Sequence, residues 1–163
     1  MKIPVTLNNA KIVLEAEPGD KLLNVLRRLN LLSVKCGCNE GRCGACTVLL
    51  DGKPVPSCII PVALTRDSAI TTLEYFSKSE DYQDIINGFK KAGINMCGYC
   101  NAGKVFSAWH ILNTSMKPDR RIIYEEVSHL SPCCTNTDIL INGILYAFDF
   151  RVHRMGVQKN AKN

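Results

Sequence analysis

Four cysteines in one short run constrain this chain more than any other feature it carries. Cys38, Cys43, Cys46 and Cys58 lie in CGCNEGRCGACTVLLDGKPVPSC, with spacing C-x4-C-x2-C and then a fourth. A loop with this spacing wraps a plant-type [2Fe–2S] cluster. Gly37, Gly41 and Gly44 fall beside or between the thiols, where the backbone must approach sulfur closely and adopt positive φ. Amide groups in such a loop hydrogen-bond sulfur and offset the negative charge of a cluster. The competing account, a set of buried inert thiols, does not explain the spacing.

The length of 163 residues suits one ordinary domain or two small ones. A chain that is 46% hydrophobic and 21% charged is able to bury a core. Nine cysteines in a short secreted chain would imply disulfides. The opening stretch MKIPVTLNNAKIVLEAEPGD, however, has no apolar signal-type core, and no apolar run reaches the length of a membrane span. A cytoplasmic, reducing setting is therefore expected, where clustered cysteines mean metal or redox chemistry. The net charge is +5, but Arg151, Arg154, Lys159 and Lys162 supply four of these charges, leaving +1 for residues 1–150. This reads as a solvated basic tail or a contact with a partner subunit, and not as a nucleic-acid surface, since no aromatic–basic interleaving accompanies it.

Two periodicities divide the chain. Ile3, Val5 and Leu7 alternate, Asn8-Asn9 supplies a turn, and Ile12, Leu14 and Ala16 alternate again, predicting a hairpin. The Pro4 nitrogen faces no ladder partner, so the strand is at an edge at that point. Asp20 reads as the N-cap of a helix carrying Leu22, Val25, Leu26 and Leu29 on one face. Thr47–Leu50 and Val55–Cys58 flank the turn Asp51-Gly52, and Ile70–Leu73 is the last strand. A small mixed sheet packed on one helix is a β-grasp arrangement. Beyond the charged stretch at Glu74–Asp81 the period becomes helical. Ile85, Ile86 and Phe89 mark one helix, and Val105, Phe106, Trp109 and Leu112 a second. Ile123, Val127 and Leu130 mark a third, and Leu140, Ile141, Ile144, Leu145 and Phe148 a fourth. Trp109 is read as core. The expected organisation is α+β: a β-grasp domain over 1–76, a four-helix bundle over 77–150, and a basic tail over 151–163.

The helical half has its own cysteines, Cys97 and Cys100 in CGYC, then Cys133-Cys134. Each group precedes a helix, through Asn101-Ala102-Gly103 and Thr135-Asn136-Thr137-Asp138. Two helix N-termini aimed at a common centre would favour an anionic cluster there. Four thiolates complete a second [2Fe–2S] centre, and they would equally close a structural Zn²⁺ site. CGYC is also the shape of a thiol–disulfide exchange motif, but that reading wants a preceding strand, and Phe89–Met96 has no strand pattern. His110, His129 and His153 form no ligand spacing, and no nucleotide-binding or nucleophile-elbow motif occurs.

Together these motifs resemble the small iron–sulfur subunit of the molybdenum hydroxylases, a family that includes xanthine dehydrogenases, aldehyde oxidoreductases and carbon monoxide dehydrogenase. The resemblance runs from Ile3 to about Phe148, through SVKCGCNEGRCGACTVLLDGKPVPSC with the following ITTLE, and through GINMCGYCNAG and PCCTNTDILINGI. It implies a plant-type ferredoxin-like domain holding one [2Fe–2S] cluster on Cys38, Cys43, Cys46 and Cys58. A second cluster would then lie in the bundle on Cys97, Cys100, Cys133 and Cys134. It further implies an electron-transfer subunit with no catalytic residue of its own, relaying electrons from a molybdopterin centre towards FAD. Those cofactors would sit on a large molybdopterin-binding subunit and an FAD-binding subunit. Three positions depart from the family pattern. Pro132-Cys133-Cys134 replaces C-x-C, so either Cys133 substitutes for a ligand from one residue away or the site is altered. Met96 stands where a glutamine touches the pterin, and Asn101-Ala102-Gly103 replaces T-P-G. Cys36 is an extra thiol beside the first set and reads as a bystander. The second reading is a free-standing ferredoxin-like carrier with one cluster and an altered or zinc-binding second site.

Overall fold

The computed structural model describes residues 1–130 and 134–160, with side chains through Gln158. The first half is a five-stranded sheet. Strands β1 (Lys2–Leu7) and β2 (Ala10–Glu15) pair antiparallel, with Ile3 opposite Leu14 and Val5 opposite Ile12. Asn8 and Asn9 take φ of 51° and 69° in the two-residue turn, the left-handed pair that such a hairpin requires. Strands β3 (Thr47–Leu50) and β4 (Lys53–Pro56) close around Asp51 and Gly52 in the same way. Strand β5 (Ala69–Thr71) runs parallel to β1 and antiparallel to β3, so the order is β2-β1-β5-β3-β4. Helix α1 (Leu22–Arg28) turns Leu22, Leu23, Val25 and Leu26 into one core with Ile3, Val5, Leu14, Val48 and Ile70. This is the expected mixed sheet on one helix.

Two local expectations change. β1 lies inside the sheet, but at Pro4 it is a local edge, as expected. Pro4 is tolerated because β5 reaches only Thr6 and Leu7, while the Pro4 carbonyl accepts from Asp67 N at 2.7 Å. Asp20 does not cap α1. Lys21 bridges to Pro61 and stays extended, so the helix begins one residue later and the Asp20 carboxylate instead accepts from Glu17 N at 2.9 Å and pairs with Arg28. The last strand ends at Thr71, and Leu73 opens the one-turn helix α2 (Leu73–Phe76).

Helices α3 (Glu80–Lys91), α4 (Asn101–Thr114), α5 (Arg120–Val127) and α6 (Thr137–Asn160) build the second half. Ser79 caps α3 by accepting from Tyr82 N, and Asp119 caps α5 by accepting from Arg121 N and Ile122 N, each satisfying amides that a helix start leaves open. Phe76, Ile85, Phe89, Val105, Phe106, Ile111, Ile123 and Ile144 form the shared core. Trp109 is partly buried against it and donates Nε1–H to Asp81 at 3.1 Å. Helices α3 and α6 approach at Gly88, where an added Cβ would lie 2.4 Å from Ala147 N and 2.5 Å from Gly143 O. Helix α6 also continues through the basic stretch. Arg154, expected in a solvated tail, pairs with Glu80, Asp81 and Asp84 at 2.7–2.8 Å. No helix among the described residues is long and apolar enough to cross a membrane.

Candidate metal centres

The first cysteine set occupies the loop between α1 and β3 and the turn after β4. Asn39, Gly41 and Gly44 take φ of 59°, 77° and 75°, folding the loop so that its amides face sulfur. Cys38 Sγ accepts from the backbone N–H of Glu40, Arg42 and Cys43 at 3.3–3.4 Å, and Cys43 Sγ accepts from Cys38 N at 3.5 Å. These amides pull the Cys38 thiol down to about 6, Glu40 contributing most. Cys46 and Cys58 are buried, at 2% and 1% exposure. Burial pushes the Cys46 thiol up to about 11, with Cys58 beside it. The Cys46 carbonyl is held by Ser57 Oγ at 2.7 Å. The set thus lies as an outer pair wrapped in amides and an inner pair shut away from water. A buried thiol such as Cys46 loses its proton readily only to a metal, which deprotonates coordinating thiols. Gly37 completes the fit, since a Cβ there would stand 2.6 Å from Cys43 Sγ. Cys36 is exposed and meets Asn39 Oδ1.

In the helical half, the sulfurs of Cys97, Cys100 and Cys134 lie within 4.8 Å of one another. Cys100 is the N-cap residue of α4 and is 4% exposed. Gly98, with φ of 83°, donates its N–H to Asn101 Oδ1 at 3.1 Å and so shapes the turn between the first two cysteines. Cys134 stands just before α6, whose start is held by Asn136 Oδ1 accepting from Ile139 N at 2.9 Å. Both helices therefore begin at the gathered thiols, and their N-terminal partial charges suit an anionic group. A set of three thiols at two helix starts fits an iron–sulfur cluster. Pro132 and Cys133 lie outside the described residues. Met96 is partly buried against the helical core.

The two centres are neighbours. Gly44, between Cys43 and Cys46, packs on Gly103 in the first turn of α4, where an added Cβ on Gly103 would lie 2.8 Å from Gly44 Cα. Lys35 Nζ donates to the Gly98 carbonyl, and Tyr99 OH donates to the Cys36 carbonyl at 3.3 Å. One residue at the second centre escaped sequence reading. Lys104 is buried at 3% exposure, and its Nζ donates to Cys100 Sγ. Its only sequence signal is a lone cation in the apolar run NAGKVFSA.

Known proteins share this arrangement. Residues 5–70 match the family described as a 2Fe-2S iron-sulfur cluster binding domain, and residues 72–144 the family described as a [2Fe-2S] binding domain. The xanthine dehydrogenase iron-sulfur-binding subunit of Escherichia coli O157:H7 is 38% identical over 110 residues, covering 68% of this chain and 69% of the relative. The aldehyde oxidoreductase of Megalodesulfovibrio gigas is 33% identical over 88% of this chain, which spans 16% of that longer protein. Quinoline 2-oxidoreductase from Pseudomonas putida 86 contains a chain of the same fold, with TM-score 0.82 and 32% identity, covering 93% of this chain and 96% of that one. The chain belongs to the small iron–sulfur subunits of the molybdenum hydroxylases, of the xanthine dehydrogenase and aldehyde oxidoreductase type. It is an electron-transfer subunit of that class of oxidoreductase and is not itself catalytic.

Proposed function

We propose that this subunit relays single electrons from a molybdopterin centre on a large partner subunit towards FAD on another, through two [2Fe–2S] clusters. Cys38, Cys43, Cys46 and Cys58 would hold the first, and Cys97, Cys100, Cys134 and Cys133 the second. Each cluster, when bound, takes up and returns one electron. The observation that carries this reading is the three-sulfur gathering at the starts of α4 and α6, in backbone contact with the loop of the first set. The domain division at about residue 76 follows from the same reading, each unit bringing one cluster. The protein's own work is to supply thiolates, to aim amides and helix starts at them, and to bury the inner pair Cys46 and Cys58. A reducing, cytoplasmic setting goes with this reading, because there clustered cysteines serve metal or redox chemistry.

The test is iron, zinc and acid-labile sulfide per chain on anaerobically purified protein, with the partners that co-purify identified. Four irons, four sulfides and recovery of molybdopterin and flavin subunits are expected. Two irons with one zinc would assign the second site to a structural metal and overturn the two-cluster relay.

A further inference from the structure

Among the described residues two charged side chains are buried, Asp84 and Lys104. Asp84 is accounted for by Arg154. Lys104 has no carboxylate paired with it among the described residues, and burying an ammonium without a counter-charge is costly. Its position compounds the cost, because it lies in the first turn of α4, at the positive end of the helix, where cations are disfavoured. What it does have is sulfur: its Nζ donates to Cys100 Sγ, and Cys100 is itself buried at 4% exposure. Both costs are offset once the group at Cys100 is anionic.

We propose that Lys104 is a positioning residue that sets the reduction potential of the centre built on Cys97, Cys100 and Cys134. Acting through the Cys100 sulfur, it holds that potential above the value the same thiolates would give alone. The inference rests on the reading that this site binds a [2Fe–2S] cluster. A cluster held by thiolates is already negative, and the one electron it accepts makes it more so. A cation fixed at a ligand sulfur, in surroundings shielded from water, therefore favours the reduced form over the oxidised one. The hydrogen bond to sulfur acts in the same direction. No bond forms or breaks: one electron arrives from the donor subunit and the same electron leaves for the acceptor. With Lys104 in place the second centre fills more readily and empties less readily.

The experiment is an EPR-monitored redox titration of the intact cluster-loaded protein and its Lys104→Met, Lys104→Gln and Lys104→Arg variants. Methionine fills comparable space without charge or donor. It is expected to move the second centre's midpoint negative by at least a tenfold change in its reduction equilibrium, ~59 mV for a one-electron couple. The first centre should not move. Arginine should hold the potential near that of the parent, and glutamine, with a donor but no charge, should fall between. Should the methionine variant lose the second cluster, the glutamine variant carries the same comparison. An unchanged midpoint in a variant that retains both signals would overturn the role of Lys104 while leaving the two-cluster relay intact. A parent protein with only one signal would overturn the relay, and this role with it.

Discussion

Cys38 and Cys46 meet opposite environments within one loop, and the contrast shows how single residues prepare the first centre. Three amides draw Cys38 towards its thiolate, whereas burial holds Cys46 in its protonated form. Glu74 performs a supporting task at the same scale. Its carboxylate accepts from the amide and hydroxyl of Ser33, tying the segment after α1 to α2. Burial pushes the Glu74 carboxyl up, but the Ser33 hydroxyl and amide outweigh this and hold it below its ordinary value. A carboxyl depressed in the folded state stabilises the fold fully above its unfolded pKa, and that contribution is lost as pH falls through the folded value. Glu74→Gln is therefore expected to cost about 1 kcal/mol at neutral pH. The difference should close when urea denaturation is repeated below the carboxylate range. An equal difference at both pH values would mean that the ionised carboxylate is not what holds the strap.

Arg154 sets the behaviour of a whole element. It joins α6 to the first turns of α3 through Glu80, Asp81 and Asp84, and Asp84 is 5% exposed. The bond to Asp84, with the other two carboxylates, holds the guanidinium above its usual range. Arg154→Ala leaves Asp84 buried without its partner, a change expected to cost about 2 kcal/mol once solvent screening of the partly exposed guanidinium is allowed for. The check is the urea midpoint, with the Asp84→Asn change in the same background recovering part of the loss. This pairing also shows where sequence reading stopped. The helices from Ile85 to Phe148 were legible because their apolar residues repeat at the helical period and bury one face. The extension of α6 past Phe148 was not, because Arg154 finds its partners 70 or more residues away along the chain. The α3–α6 contact at Gly88 was equally hidden, since a glycine marks a close approach only once the opposing backbone is known. The start of α1 was hidden for the same reason: the bridge from Lys21 to Pro61, not local propensity, decides what surrounds Asp20.

At the scale of the molecule, the cysteine spacing revealed one metal-binding unit in each half but not that the units abut. That adjacency comes from Gly44 against Gly103 and from the bonds of Lys35 and Tyr99 across the two loops. None of these residues carries a metal-ligand signal. The chain is thus organised around two neighbouring cysteine groups, one along the loop between α1 and β3 with Cys58 after β4, and one whose sulfurs gather within 4.8 Å at two helix starts. The central claim is that each set holds its own [2Fe–2S] cluster, and low-temperature EPR of the dithionite-reduced protein with its Cys46→Ser and Cys134→Ser variants tests it most directly. The account predicts two distinguishable signals in the parent, with Cys46→Ser abolishing or strongly perturbing one and Cys134→Ser the other. A single signal in the parent, or a Cys134→Ser spectrum identical to it, would contradict the account.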